Sequence, residues 1–94
     1  VYSGDTGPCP ALDALAQGCD LLLAEASFLE GDDNPPRLHM TGRQAAELAE
    51  RSRAAQLVLT HVPPWHNRAQ VLAEASPHFR GDISLALPGA AYKV

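Results

Sequence analysis

Leu57-Val58-Leu59-Thr60 is a short run with three apolar and two β-branched residues, and it ends abruptly on His61. Val62-Pro63-Pro64 follows at once. Proline cannot donate to a sheet ladder, so the pattern predicts a buried strand that stops at the histidine. Two further segments repeat this arrangement: Val1-Tyr2-Ser3-Gly4 runs into Asp5, and Leu21-Leu22-Leu23-Ala24 runs into Glu25. If the three strands are parallel, Asp5, Glu25 and His61 fall along one edge. Open α/β sheets place their chemistry at that carboxyl edge.

Ninety-four residues leave room for a single small domain. A hydrophobic fraction of 46% is that of a chain with a core and argues against disorder. The net charge of −4 comes without any basic run, so electrostatics alone gives no reason to expect nucleic-acid binding. No stretch approaches the ~20 apolar residues of a membrane span, and no signal peptide opens the sequence. Cys9 and Cys19 flank a predicted helix; ten helical residues would hold them roughly 15 Å apart, beyond disulfide reach. Two reduced thiols and a cytoplasmic location are expected, and a zinc knuckle would need closer ligand pairs. The chain enters strand-like at Val1 with no Met and no polar leader, so residues 1–94 are expected to be one partial domain of a larger protein.

Between the strands, Pro8 and Pro10 suit a loop and a first helical turn, Leu12, Leu15 and Ala16 form an apolar face, and Gly18 suits the helix end. Residues 26–40 carry Gly31-Asp32-Asp33-Asn34-Pro35-Pro36 and read as a long loop, of the kind that is often functional. Thr41-Gly42-Arg43-Gln44 fits a capping box, with Thr41 as N-cap and Gln44 three residues on. Ala45, Leu48, Ala49 and Ser52 would then be the buried face of a helix, and Glu47, Glu50, Arg51 and Arg53 its solvated side. Asn67 can cap a further helix with Val71, Leu72 and Ala75 inward, closed by Pro77. Ile83–Leu87 reads as a last strand. The predicted order is β-α-β-loop-α-β-α-β, an α/β layer on a largely parallel sheet.

Several of these residues can carry chemistry. Asp5, within Ser-Gly-Asp-Thr-Gly, can bind a metal, cap the next helix or fill a turn. His61 is rigidly presented by its prolines and is either a metal ligand or a satisfied core histidine. His39 lies two residues before an N-cap, where an anion such as phosphate is favoured and an imidazole can donate a proton to it; it can equally be an exposed loop residue. Glu25 can orient His39 or pair with Arg37 or Arg43. His66 and His78 read as loop and helix-end residues, and Trp65 as a packing lid. Gly4-Asp5-Thr6-Gly7 lacks the Lys-Ser/Thr of a P-loop, and no Gly-x-Ser-x-Gly elbow is present.

Ser-Gly-Asp-Thr after a strand, Ala24-Glu25-Ala26-Ser27-Phe28, His39-Met40-Thr41 opening a helix and Leu59-Thr60-His61 ending a strand occur here in order. Together they resemble the metallo-β-lactamase-fold hydrolases, and within them the ribonuclease Z-like phosphodiesterases, over Tyr2 to about Gly89. The resemblance implies the C-terminal half of an αββα sandwich. It implies Asp5 and His61 as metal ligands, His39 as proton donor to the leaving group, and Glu25 in a segment similar to the family's His-Glu-Ala-Thr. It also implies two divalent ions, usually zinc with manganese as a further option, and a phosphodiester substrate, either a nucleotide or RNA. Ala24 stands where that segment has His, and Ser27 where it has Thr. After His61 the chain reads Val-Pro-Pro-Trp instead of the Phe-Ser-x-Arg of tRNA 3′-processing enzymes, which points toward cyclic-nucleotide or generic phosphodiesterase relatives.

The family's His-x-His-x-Asp-His motif is not in these residues. Asp5 and His61 alone are too few for a dinuclear site, so the isolated chain is expected to be inactive. It is also expected to form homo-oligomers through its sheet, or to associate with the missing N-terminal half. Val58, Leu22 and Leu85 or their alternating neighbours would line the contact face. The competing expectation is a non-enzymatic binding or dimerisation module whose polar strand ends only cap helices.

Overall fold

The computed structural model describes residues 1–4, 6–29, 39–63, 66–87, 89 and 91. Along the chain come α1 (Pro10–Ala16), β1 (Leu22–Glu25), α2 (Gly42–Ser52), β2 (Gln56–Thr60), α3 (Arg68–Ala75), a 3₁₀ turn (Ser76–His78) and β3 (Asp82–Leu85). Asp5, Arg37, Trp65 and most of the predicted 26–40 loop lie outside the described residues.

Among the described residues the sheet has three strands in the order β1-β2-β3, both pairings parallel. Its register sets Leu22 beside Leu57 and Ile83, Leu23 beside Val58 and Ser84, Ala24 beside Leu59 and Leu85, and Glu25 beside Thr60. Side chains alternate between faces along a strand. Leu22, Ala24, Leu57 and Leu59 join Leu12, Ala16, Leu48, Ala49 and Val71 in one apolar cluster, with Ile83 and Leu85 packed against it. Leu23, Val58 and Ser84 take the opposite face, ending in Glu25 and Thr60. Of the residues expected at a contact face, Leu22 and Leu85 point to the helices, whereas Val58 lies on the opposite face with Leu23, to which Tyr2 is bridged.

The helix termini follow their sequence signals. The Thr41 hydroxyl accepts from the Gln44 N–H at 3.1 Å, and the Gln44 side chain accepts from the Thr41 N–H at 3.0 Å. Ala45, Leu48, Ala49 and Ser52 are all buried. The helix closes on Arg53 in the left-handed conformation at φ 56°, its N–H donating back to Ala49 and Glu50. Gly42 opens α2 against α3, and a Cβ there would stand 2.6 Å from the Val71 carbonyl oxygen. Asn67 caps α3 by accepting from the Gln70 N–H at 3.1 Å, and Val71 and Ala75 are buried beneath it.

Three expectations are adjusted. The first predicted strand is a single parallel bridge, Tyr2 to Leu23, because Gly4 turns at φ 66° and takes the chain out of the ladder. Leu15 is 65% exposed, since α1 stops at Ala16 and only Leu12 and Ala16, one turn apart, face inward. The last strand ends at Leu85, although the Ala86 N–H still donates to the Leu59 carbonyl at 2.8 Å. Cys9 and Cys19 are both free and half-buried. No helix among the described residues is long and apolar enough to cross a membrane.

Candidate active site

β1 and β2 end side by side, and the residues that follow them build the site. The Ala26 N–H continues the ladder by donating to the Thr60 carbonyl at 2.9 Å. Two residues on, Phe28 pairs with the segment that leads into α2, its N–H donating to the Met40 carbonyl at 3.1 Å. That pairing fixes His39 beside the end of β1. The Phe28 and His39 rings meet edge to face, centroids 5.1 Å apart and planes at 86°.

Glu25 is fully buried, and polar groups surround its carboxylate. His39 Nδ1 lies 3.0 and 2.9 Å from its two oxygens. The Ser27 hydroxyl donates to Oε2 at 2.7 Å, and the Thr6 backbone N–H donates to Oε1. A buried carboxylate is tolerated only when its lone pairs are satisfied in this way. Of the partners that the sequence offers Glu25, it takes His39, while Arg43 turns to Glu47 at 3.4 Å and Arg37 lies outside the described residues.

His61 follows β2 at φ 58°, a left-handed step that is uncommon for a residue with a Cβ, although His tolerates it better than most. Its ring Nδ1 lies 2.8 Å from Ser27 Oγ, and its carbonyl oxygen lies 3.0 Å from the same hydroxyl. The His39 and His61 rings stand 5.7 Å apart, tilted by 48°. A cavity of about 360 Å³ opens beside them, lined by Ser27, Phe28, His39, His61, Val62, Pro63 and His66.

Glu25, His39 and His61 therefore converge, and Asp5 lies outside the described residues. One ligand-type atom from each of the three lies within 4.8 Å of the others. Two imidazoles and a carboxylate suit zinc-class ions. The carboxylate already accepts from the Thr6 N–H, the Ser27 hydroxyl and His39 Nδ1, so its lone pairs are engaged within the protein. Ser27 and His66 were not legible as site residues. Ser27 meets His61 only through the fold, and His66 reaches the cavity around the turn after β2, its N–H donating to the Pro63 carbonyl at 3.0 Å. His78 lies elsewhere, with Glu47, Glu50 and Arg51 on the outer surface.

Residues 1–62 match the family model of the beta-lactamase superfamily domain. An uncharacterised protein of Mycobacterium leprae is 42% identical over 94 residues, spanning 100% of this chain and 33% of that protein. A ribonuclease Z of Myxococcus xanthus is 39% identical over 95 residues, covering 95% of this chain and 30% of the enzyme. The crystal structure of the metallo-β-lactamase-fold protein YhfI from Bacillus subtilis superposes with a TM-score of 0.84 at 28% identity, over 92% of this chain and 36% of that one. The chain thus spans about a third of the length of the curated relatives it matches. That fold implies divalent-metal binding. On the family match over residues 1–62 and the likeness to these relatives, the chain belongs to the beta-lactamase superfamily, with a metallo-β-lactamase fold and a ribonuclease Z-like sequence.

Proposed function

We propose that the intact protein is a metal-dependent phosphodiesterase acting on nucleotide or RNA phosphodiesters, with zinc or manganese in a dinuclear site. The observation that carries this reading is the contact of buried Glu25 with His39, placed beside His61 at one cavity. Likeness to ribonuclease Z sequences supports the substrate class. Free Cys9 and Cys19 support a cytoplasmic location.

In this reading Asp5 and His61 hold metal, together with residues supplied from the rest of the domain. A bound divalent ion would supply Lewis-acid polarisation of the phosphoryl oxygens. His39 is held at Nδ1 by Glu25, so Nε2 is the ring atom that delivers a proton to the departing oxygen. Phe28 fixes the plane of that ring from the edge. Phe28, Val62 and Pro63 give the cavity an apolar side suited to a nucleobase, and its size is in the range of small-ligand sites. Val-Pro-Pro-Trp after His61 favours a cyclic or generic phosphodiester over a tRNA precursor. The module reading is weaker, because among the described residues Glu25 caps no helix and two of its partners, Ser27 and His39, line the cavity.

The test is hydrolysis by the intact, metal-analysed protein of a cyclic nucleotide, bis(p-nitrophenyl) phosphate and a tRNA precursor with a 3′ trailer. Activity with Zn²⁺ or Mn²⁺ on at least one is expected. A well-folded protein inactive on all three with either metal would overturn the reading.

A further inference from the structure

We infer that Ser27 is a positioning residue that sets the tautomer of His61, placing the ring proton on Nδ1 and the lone pair on Nε2. Ser27 Oγ stands 2.7 Å from Glu25 Oε2, 3.0 Å from the His61 carbonyl oxygen and 2.8 Å from His61 Nδ1. A serine hydroxyl carries one proton, and a carboxylate and a carbonyl oxygen can only accept. The hydroxyl proton is therefore directed to one or both of those oxygens. If Nδ1 were bare, it would meet the hydroxyl lone pairs at 2.8 Å with no proton between them. That would be a repulsive contact in a place where Ser27 is 4% and Glu25 0% exposed. An N–H at Nδ1 donating to Ser27 Oγ removes the conflict. Glu25 then orders both histidines, His39 directly and His61 through one hydroxyl.

The consequence for metal binding rests on the reading of His61 as a ligand, whereas the tautomer does not. Neutral imidazole binds a metal through whichever nitrogen lacks the proton, and the hydrogen bond at the other nitrogen decides which one that is. Ser27 would thus commit His61 to bind through Nε2.

The experiment is ¹⁵N-histidine NMR of the metal-free intact protein, with the His61 signals identified by their loss in His61→Ala. The wild type and Ser27→Thr, which keeps the hydroxyl, should both show a protonated Nδ1 and an unprotonated Nε2. Ser27→Ala should lose that pattern for the Nε2–H form usual in free histidine. A wild-type His61 protonated at Nε2 alone would overturn the inference without any variant, and so would a Ser27→Ala spectrum identical to wild type. Zn²⁺ titration separates the two readings. Ser27→Ala should weaken binding about 10–100-fold, the usual cost of losing a partner behind a ligand, and Ser27→Thr should restore it. Unchanged Zn²⁺ affinity in His61→Ala would refute the metal reading and leave the tautomer to be judged on the spectra.

Discussion

The rings of His39 and His61 stand 5.7 Å apart and are tied to the same buried carboxylate, one directly and one through a serine. Their assigned roles differ, so their variants should separate. His39→Ala should lower kcat about 10²–10⁴-fold, the usual weight of a positioned proton donor, with metal content unchanged. His61→Ala should reduce metal content as well. Steady-state kinetics alongside metal analysis of each variant checks this, and equal metal loss in both would refute the division.

Glu25→Ala should destabilise the fold as well as the site. It removes the acceptor for the Ser27 hydroxyl, the Thr6 N–H and the His39 ring. A buried donor left unsatisfied costs about 1–3 kcal/mol; the Thr6 N–H and His39 Nδ1 lose their carboxylate acceptor, whereas the Ser27 hydroxyl keeps the His61 carbonyl. The urea midpoint of the intact protein should fall accordingly. Glu25→Gln keeps the shape and should lose less stability, while still lowering kcat through a misoriented His39.

Gly42→Ala should be destabilising despite alanine's better helix propensity. A Cβ at Gly42 would stand 2.6 Å from the Val71 carbonyl oxygen and 3.2 Å from its Cγ1. The oxygen is backbone and cannot swing aside, so α2 and α3 must separate. Overpacking of this kind costs about 1–3 kcal/mol. Denaturant unfolding measures it, and a neutral result would mean that the two helices yield freely.

Thr41→Ala removes half of the capping box at the start of α2 and should cost about 1 kcal/mol by the same measurement. Because His39 lies two residues before this N-cap, a fall in kcat beyond the stability loss would show that the cap also holds the proton donor.

Much of this was legible in the sequence because it is local. The Thr41–Gln44 box, the Asn67 cap and the α2 stripe of Ala45, Leu48, Ala49 and Ser52 depend on residues three or four apart, and all formed as spaced. The parallel sheet followed from short helices between apolar runs. The first strand was over-read because Gly4 ends it after one bridge. Leu15 was misjudged because a two-turn helix has room for only a narrow inward face. In the site, the strand-terminal placing of Glu25 and His61 was visible, and so was Glu25's option on His39. Ser27 was not, because its partner His61 lies 34 residues away and only folding brings them together.

The β1–β2 register carries a consequence for insertions and deletions. Glu25 is level with Thr60, on the face away from the helices, while its neighbour Ala24 is level with Leu59 on the other. Sliding β1 by a single residue would exchange the two faces and drive the carboxylate into the layer holding Leu22, Leu57 and Leu59. The strand pairing thus acts as a ruler for the chemistry. Lengthening the outlying loops leaves that ruler intact, but adding or removing one residue between Leu22 and Glu25 would destroy the site even if every side chain named here were kept.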